Sequence, residues 1–319
     1  MKTYQRVILI IGIALLAVGA TLINISYRRG ERAELPSGGF GISLAPGTPS
    51  DQKDYTVCTD GEESFDPAEV KKLDLDWVSG SVTVKEYDGK KLVVREEING
   101  SATDRQRMRW RLKGGELNVI ACASNINNLP KKDLIVLVPE GMKTELLKVD
   151  VASADVEVSG LAVSGSIDID SASGRISVED CVCEKLLIDS ASGAQSVRGC
   201  RVDGDLSADL ASGAFSAEDI ICDVLDIDGA SGRITAAGLV CRKADIDTAS
   251  GAVSLEFAKA CEGVEIDTAS AAVTLTFPEG TGLNISFDTL SGKVKGDVKY
   301  GDLPVEVDTM SGDLTIKYN

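Results

Sequence analysis

Apolar and polar residues alternate with period two along the second half of this 319-residue chain. Ile167 and Ile169 share one face of a short segment, and Ile176 and Val178 do the same after a turn. The same arrangement returns late in the chain at Val305, Val307, Leu314 and Ile316. The pattern predicts pairs of short strands that point small aliphatic side chains inward and polar side chains outward.

A five-residue phrase, D-x-A-S-G in most copies, separates the two strands of each pair. Its serines are 19 to 21 residues apart. The consecutive copies begin at Asp150, Asp170, Asp189, Asp209, Asp228, Asp247, Asp267, Asp288 and Asp308. A fixed period of about 20 residues is typical of solenoids, in which each repeat forms one rung and stacked rungs share a core. The sequence therefore predicts an all-β, single-stack β-solenoid (β-helix-like) over residues 141–319.

The segment before these repeats predicts a different organisation. Residues 30–65 are rich in Gly, Pro, Ser and charged residues, which is typical of a flexible linker, so we expect order to begin near Val70. An outlying copy of the phrase runs from Asp76 to Gly80. Further alternating segments follow at 92–95, 108–112, 117–121 and 134–138. Residues 66–140 are therefore expected to form a β-meander that contains the first rung and caps the stack at its N-terminal end.

An uncharged apolar run extends from Val7 to Ile25. At about 1.5 Å per residue it approaches the thickness of a bilayer core, so residues 1–29 predict a membrane-spanning N-terminal helix. The alternative is a cleaved signal peptide, because small residues stand at Val18-Gly19-Ala20. Basic residues flank both ends, so the positive-inside rule decides no orientation. We expect a single-pass protein of the cell membrane with an extracytoplasmic solenoid.

The amino-acid composition argues against several kinds of catalytic site, metal site and partner. The chain contains no histidine, which removes the commonest general base and metal ligand. A net charge of −17 argues against nucleic acid as a partner, because phosphate binding needs a clustered positive surface. We therefore expect neither catalytic residues nor a bound cofactor, apart from the calcium considered next.

The phrase aspartates allow two interpretations. In the first, the carboxylate accepts hydrogen bonds from nearby backbone N–H groups and shapes the turn. In the second, stacked carboxylates about 4.8 Å apart repel one another and attract Ca²⁺. The calcium candidates are Asp170, Asp189, Asp209, Asp228, Asp247 and Asp267.

Six of the eight cysteines fall eight to eleven residues after a phrase serine, and thus at one corner of five successive rungs. They are Cys181, Cys183, Cys200, Cys222, Cys241 and Cys261. One interpretation is a ladder of small buried side chains. The other is disulfides between neighbouring rungs, such as Cys181 with Cys200 or Cys222 with Cys241, in an oxidising compartment.

Four arginines alternate with other residues at Arg105, Arg107, Arg109 and Arg111. On one strand they would line one face, either as a solvated surface paired with Glu96 and Glu97 or as a docking stripe for a polyanion or lipid headgroup. The strand at Leu314–Tyr318 has no capping segment after it. We therefore expect the C-terminal rung to be an open edge that permits end-to-end self-association.

The apolar N-terminal run, the polar linker and the tandem D-x-A-S-G rungs resemble a family of bacterial membrane-anchored β-strand-repeat domains of unknown function labelled "putative adhesin". The resemblance covers roughly residues 70–319 and implies a β-solenoid, with no established catalytic residues. It favours a non-enzymatic, membrane-tethered scaffold or adhesin-like surface that binds a protein or cell-surface polymer. Two alternatives stay open: a sensor or regulatory partner in cell-envelope stress, and a carbohydrate-active β-helix enzyme.

Overall fold

The computed structural model describes residues 52–126 and 128–319, which fall into two compact units that divide between Arg175 and Ile176. Among these residues there is no α-helix, and the one helical segment is the 3-10 turn Pro67–Glu69. No helix in this part of the chain is long and apolar enough to cross a membrane. The run from Val7 to Ile25, on which the anchor prediction depends, lies outside the described residues.

The N-terminal unit, residues 52–175, contains nine strands. They are β1 Thr56–Val57, β2 Glu62–Phe65, β3 Lys72–Tyr87, β4 Leu92–Ile98, β5 Arg109–Lys113, β6 Glu116–Ile120, β7 Lys132–Pro139, β8 Thr144–Ser159 and β9 Val163–Ser171. The long strand β3 carries the outlying phrase and pairs in parallel with β8, so that Asp76 stands opposite Asp150. Strand β8 pairs in parallel with β9, which puts Asp170 next in the same column.

The other side of β3 explains how the repeat begins. Strands β6 and β7 divide that edge between them, and both run parallel to β3. Antiparallel strands then follow: β5 pairs with β6, β4 with β7, β2 with β4 and β1 with β5. The predicted meander is thus partly correct, because antiparallel strands cover the edge, but β3 and β8 are neighbours in space despite the residues inserted between them.

Strands also begin earlier than the linker prediction allowed. Strands β1 and β2 lie inside residues 30–65, where flexibility was expected. Cys58 and Phe65 are buried there, and the Phe65 ring packs edge-on against Trp110 with 4.9 Å between ring centroids. The polar composition concealed these two short strands because their partners are distant in sequence. The linker prediction is therefore wrong from Thr56 onward.

The C-terminal unit, residues 176–319, contains seventeen strands. They are β10 Ile176–Glu179, β11 Val182–Cys183, β12 Lys185–Ser190, β13 Gln195–Arg198, β14 Arg201–Val202, β15 Asp205–Ser212, β16 Phe215–Glu218, β17 Val224–Ser231, β18 Ile234–Leu239, β19 Lys243–Ser250, β20 Val253–Phe257, β21 Gly263–Ser270, β22 Val273–Phe277, β23 Leu283–Ser291, β24 Val294–Lys295, β25 Leu303–Ser311 and β26 Leu314–Tyr318. All their mutual pairings given by register are parallel.

Each rung of this unit contains a longer strand that carries the phrase and a shorter strand after it, and the two-residue strands β11 and β14 form a separate parallel pair. Like positions stack on like positions: Ile227 pairs with Ile246 and Ile246 with Ile266. These inward isoleucines are fully buried. One rung alone buries too little apolar surface to be stable, whereas stacked rungs share one continuous core. The predicted solenoid-like all-β fold with parallel rungs is confirmed.

Three small residues of the phrase form the corner between the two strands. The inward hydroxyl of Thr248 donates to the carbonyl oxygen of Ser250 at 3.1 Å, two residues ahead. The hydroxyl of Ser212 reaches the carbonyl oxygen of Ala191 in the preceding rung at 3.3 Å. Gly251 has φ +122°, and a Cβ there would stand 1.8 Å from the carbonyl oxygen of Gly232. The corner of this rung therefore requires glycine for conformation and for space.

The rungs do not stack in chain order at the C-terminal end. Strand β25 lies between β21 on one side and β23 on the other, and β26 lies likewise between β22 and β24. Among the described residues, β23 and β24 each have one partner strand, and the first residue of β23, Leu283, also forms an isolated parallel bridge with Tyr300. The prediction that the C-terminal rung forms the open edge is therefore wrong, because the preceding rung, residues 283–295, occupies that place.

Candidate interaction surfaces

The phrase aspartates of the C-terminal unit form a column along the outer face of its longer strands. Asp189 stands opposite Asp209, Asp209 opposite Asp228, Asp228 opposite Asp247 and Asp247 opposite Asp267. Each lies inside a strand rather than in a turn, so the turn chemistry predicted for it is supplied by the neighbouring serine and threonine hydroxyls instead. Asp267 is followed by Asp308 and then Asp288, as the reordered rungs require.

A second acidic column runs beside the first on β17, β19, β21 and β25, two residues before the phrase aspartate of each strand. Asp226 pairs with Asp245, Asp245 with Glu265 and Glu265 with Glu306. Lys243 enters this column, where its Nζ lies 2.7 Å from Asp245 Oδ2 and 2.9 Å from Glu265 Oε2. The two columns together make a repeated carboxylate surface, which we call the acidic face.

The crowding of carboxylates increases the proton affinity of the phrase aspartates. Partial burial, followed by the charges of neighbouring carboxylates, raises the pKa of Asp228 to about 6, of Asp247 to about 7 and of Asp267 to about 6. Burial also raises the pKa of Asp209. The acidic face therefore takes up protons near neutral pH, because a carboxylate between two others is costly to ionise.

The calcium candidates lie on this column or, for Asp170, on the corresponding column of the N-terminal unit beside Asp150. Over residues 52–126 and 128–319, no group of three or more Cys, Asp or Glu side chains is arranged to hold a metal ion. One carboxylate per rung supplies few of the six to eight oxygens that Ca²⁺ prefers. Calcium binding stays a prediction.

The six corner cysteines are buried and carry free thiols. Cys183 lies in β11, and its register partner in β14 is Val202. Burial raises the pKa of Cys183 and of Cys222 to about 12, so these thiols stay protonated and unreactive at neutral pH. Cys200 differs, because a hydrogen bond with Cys181 lowers its pKa. Disulfide formation in an oxidising compartment stays a prediction.

The four arginines do not form one stripe. Strand β5 contains only Arg109 and Arg111, whereas Arg105 lies in the turn before it. Arg105 donates to the carbonyl oxygen of Ser124 at 3.0 Å, and the Arg111 guanidinium lies over the Tyr55 ring at 4.8 Å. The prediction of four guanidiniums on one strand is wrong, because the turn at 104–106 redirects the chain.

The predicted pairing of these arginines with Glu96 and Glu97 is correct for Glu96 and wrong for Glu97. The Nη1 of Arg107 lies 3.7 Å from Glu96 Oε1, as the proposed pairing with Glu96 required. Glu97 instead lies 3.4 Å from the Nε of Arg95, on its own strand. Binding of a polyanion or lipid headgroup stays a prediction.

Sequence reasoning missed a buried charge cluster in the N-terminal unit. Lys132 and Glu96 are fully buried, with 2.8 Å between Nζ and Oε2. Lys132 Nζ also donates to the carbonyl oxygens of Gln106 and Ala121 and faces the Trp77 ring. Burial lowers the pKa of Lys132, while the Glu96 charge opposes that shift. No local pattern signals this pair, because the two residues are 36 positions apart.

An open cleft of about 620 Å³ lies elsewhere in the same unit. Its walls include Pro67, Met142 and three lysines, at positions 71, 90 and 143. Lys71 is already engaged by Glu145 at 3.5 Å. The mixed charge of the cleft indicates no particular ligand.

The rungs, the corner chemistry and the acidic face together define a class: an all-β repeat protein built from parallel rungs with a D-x-A-S-G corner. The chain belongs to the Toastrack DUF4097 family, whose model matches residues 70–317. The family resemblance drawn from the sequence is thereby confirmed.

Three solved structures are similar to this chain. A "putative adhesin" from Bacteroides fragilis is 11% identical, with 81% of this chain and 96% of that chain covered and a TM-score of 0.42. A "putative adhesin" from Parabacteroides distasonis is 14% identical, with 83% and 97% covered and a TM-score of 0.35. A "putative cell adhesion protein" from Clostridium sporogenes is 11% identical, with 81% and 98% covered and a TM-score of 0.21. No curated protein matches the sequence. Identities and TM-scores this low say nothing about function.

Proposed function

We propose that this chain is a non-enzymatic, membrane-tethered protein whose acidic face is an adhesin-like or scaffolding surface on the outer side of a bacterial cell membrane. The single observation that supports the proposal is the repetition of outward carboxylates at equal spacing on successive strands. A repeated surface binds a repeated partner through many weak contacts at once, so the affinities multiply without any deep pocket.

The charge of the acidic face specifies the partner's chemistry. Ionised carboxylates between like neighbours are destabilised, and an approaching cation relieves that repulsion. The partner we expect is therefore a basic protein segment or a cationic cell-surface polymer. Lys243 already plays this role within the chain, where it lies between Asp245 and Glu265.

The enzymatic alternative has weaker support in the same residues. An acid–base pair of a carbohydrate-active enzyme needs two carboxyl groups in different environments, which move their pKa values apart. Asp228, Asp247 and Asp267 share one environment, and their pKa values are raised together. Release of reducing sugars from a polysaccharide panel by the purified chain would revive this alternative.

Two experiments on the full-length chain test the proposal. In the first, intact cells are treated with trypsin, and mass spectrometry identifies the released peptides. We expect a compact fragment that begins near Asp54, after cleavage at Lys53. Protection in intact cells, with cleavage only after lysis, would contradict an extracytoplasmic location.

The second experiment tests the acidic face. Cells that carry wild-type chain or the triple variant Asp228→Asn, Asp247→Asn and Asp267→Asn are allowed to settle on a surface coated with polylysine and on a neutral one. We expect the triple variant to lose most of the retention specific to polylysine. A matched triple variant at the exposed Glu256, Glu262 and Glu279 controls for net charge alone. Equal retention by all three strains would overturn the role of the acidic face.

A further inference from the structure

Two of the corner cysteines, Cys181 and Cys200, stand opposite each other in neighbouring rungs. The parallel register is fixed on both sides of them: β10 pairs with β13 before the two cysteines, and β11 pairs with β14 after them, with the same offset along the chain. The N–H of Arg201 also donates to the carbonyl oxygen of Cys181 at 2.9 Å. Neighbouring strands lie about 4.8 Å apart, which falls within the range of Cα separations that a disulfide spans.

The two thiols lie on the same side of the corner. The Cys181 thiol donates to the carbonyl oxygen of Glu179 at 3.2 Å, and the Cys200 thiol makes the equivalent contact with that of Arg198 at 3.3 Å. Cys200 Sγ also lies 3.6 Å from the carbonyl oxygen of Val178, which belongs to the preceding rung. The Cys200 side chain is therefore directed toward the rung of Cys181, and a hydrogen bond joins the two side chains.

The pair Cys222 and Cys241 provides a comparison within the same unit. Ile221 pairs with Val240 in an isolated parallel bridge, so these two cysteines are also in register. Among the described residues, no hydrogen bond joins their thiols, and burial raises the pKa of both. Both pairs therefore have the register that a disulfide needs, and the mutual orientation of the thiols distinguishes Cys181 and Cys200 from the other pair.

We propose that Cys181 and Cys200 are a cross-linking site, at which a disulfide joins the corner between β10 and β11 to the corner between β13 and β14. The Cys200 thiolate attacks one sulfur of an oxidising disulfide, such as that of oxidised glutathione, and one glutathione thiol leaves. The Cys181 thiolate then attacks the Cys200 sulfur, and the second glutathione thiol leaves. Each cysteine loses one proton, and the two electrons pass to the glutathione disulfide, which becomes two thiols.

Burial places this reaction during folding. Cys181 is 1% exposed and Cys200 is 2% exposed, so a disulfide reagent reaches them only before these rungs close. The bond then encloses residues 182–199, which correspond to one rung, and stabilises the folded chain by restricting the unfolded one. The site does not rest on the proposed function, because glutathione disulfide supplied to the purified chain is a sufficient oxidant.

Refolding with glutathione tests the site in the full-length chain. The reduced chain is unfolded in guanidinium chloride, refolded in detergent with oxidised and reduced glutathione, treated with N-ethylmaleimide and digested with trypsin. We expect peptide 176–185 linked to peptide 199–201, with fragmentation assigning the link to Cys181 and the maleimide to Cys183. We also expect the guanidinium chloride midpoint, followed by far-ultraviolet circular dichroism, to rise by about 0.5 M and to return to its lower value in dithiothreitol.

Three variants make the result specific. Cys181→Ser and Cys200→Ser should each lose the linked peptide and the rise in midpoint, whereas Cys183→Ser, which removes another buried thiol of the same corner, should keep both. The peptide map of the wild-type chain decides the question even where a variant fails to fold. Full maleimide labelling of Cys181 and Cys200 after refolding, a link from Cys183 to Cys200 instead, or an equal rise in midpoint in Cys181→Ser would each overturn the site. A link between Cys222 and Cys241 without one between Cys181 and Cys200 would also overturn it, since register rather than thiol orientation would then select the pair.

Discussion

The two units of this chain place charge in opposite ways. The N-terminal unit buries one lysine and one glutamate completely and surrounds them with partners: Lys132 Nζ has Glu96 and the carbonyl oxygens of Gln106 and Ala121. The C-terminal unit places its aspartates on an outer face beside like charges, and partial burial together with those charges raises their pKa values. One unit satisfies a charge locally, and the other accumulates charge by repetition.

The difference follows from how each unit is built. The strands around the buried ion pair do not repeat. Each group beside the pair can therefore be a hydrogen-bond partner for it without recurring elsewhere in the unit. A repeat cannot do this, because whatever one rung contains is brought into register with its neighbours about 4.8 Å away. Apolar residues gain from such stacking, whereas carboxylates repel. Repetition therefore favours an aliphatic core and makes the outer face the place where charge is concentrated.

The largest effect should come from breaking the buried pair. Lys132→Met leaves Glu96 without its closest cation in a fully buried site, so we expect the free energy of unfolding of the N-terminal unit to fall by about 3–5 kcal/mol. Trp77 and Trp110, the only tryptophans of the chain, both lie in this unit, so their fluorescence during urea unfolding reports on it.

Two further variants make that result specific. Lys113→Met replaces an exposed lysine on β5 and should change the free energy of unfolding by no more than about 0.5 kcal/mol. Adding Glu96→Leu to Lys132→Met removes the stranded charge and should recover part of the loss. If the double variant is as unstable as the two losses added together, the two residues do not act as a pair.

The next effect concerns the corners of the repeat. Gly251→Ala combines a positive φ with a Cβ placed against the carbonyl oxygen of Gly232, so we expect it to cost about 2–4 kcal/mol. Gly280 has φ +86° with open space around its Cβ position, and Gly280→Ala should cost only about 1 kcal/mol. Amide hydrogen exchange of β19 and β20, followed by mass spectrometry, measures both. Equal costs would mean that backbone conformation alone, rather than close stacking of the rungs, requires the glycine.

The acidic face should make stability depend on pH. The pKa values of Asp228, Asp247 and Asp267 are about 6, 7 and 6 in the folded chain, above the value of about 4 in an unfolded one. Between pH 4 and pH 7 the folded state therefore binds more protons, and stability falls as pH rises through this window. After discounting for solvent screening, we expect a loss of about 1–2 kcal/mol from pH 5 to pH 8.

One substitution identifies the source of that loss. Asp247→Asn removes the charge with the most raised pKa of the column, so it should stabilise the chain at pH 8 and change little at pH 5. Thermal unfolding followed by far-ultraviolet circular dichroism at both pH values measures this. The groups with lowered pKa values, Asp66, Asp223 and Asp313, lose their contribution only below about pH 4 and do not interfere. A wild-type chain that is more stable at pH 8 than at pH 5 would contradict the predicted sign.

Periodicity predicted the repeat well and its chemistry less well. The period of about 20 residues reports directly on stacked rungs, so the parallel strands followed from the sequence. The role of each phrase residue did not, because it depends on register: only stacking shows that the Ser212 hydroxyl reaches the carbonyl oxygen of Ala191 and that Asp209 faces Asp228. The buried Lys132–Glu96 pair left no local signal at all.

The order of the last rungs could not be predicted from the phrase, because the rungs of β23 and β25 carry nearly the same one. Either rung therefore fits either position by pattern alone. A weak signal was present in the shorter strands. Strand β24 contains one inward apolar residue, Val294, before Gly296, whereas β26 has both Leu314 and Ile316. A rung with so little to bury is suited to the outermost place.

The smallest effect concerns a polar residue that the repeat has placed where it has no partners. Gln195 of β13 is 1% exposed, stands in register with Ile176 and Phe215, and neither its Nε2 nor its Oε1 has a hydrogen-bond partner among the described residues. A buried amide without hydrogen bonds is destabilising, so we expect Gln195→Leu to raise the free energy of unfolding by about 1–2 kcal/mol.

Gln106 of the N-terminal unit is the matched control, since its Nε2 donates to the carbonyl oxygen of Asn128 at 2.7 Å and its Oε1 accepts from Thr103. Gln106→Leu should therefore lower stability by about 1 kcal/mol, and thermal unfolding of the two variants should shift in opposite directions. Shifts of the same sign would mean that the two units treat a polar side chain alike, and that their difference is confined to charge.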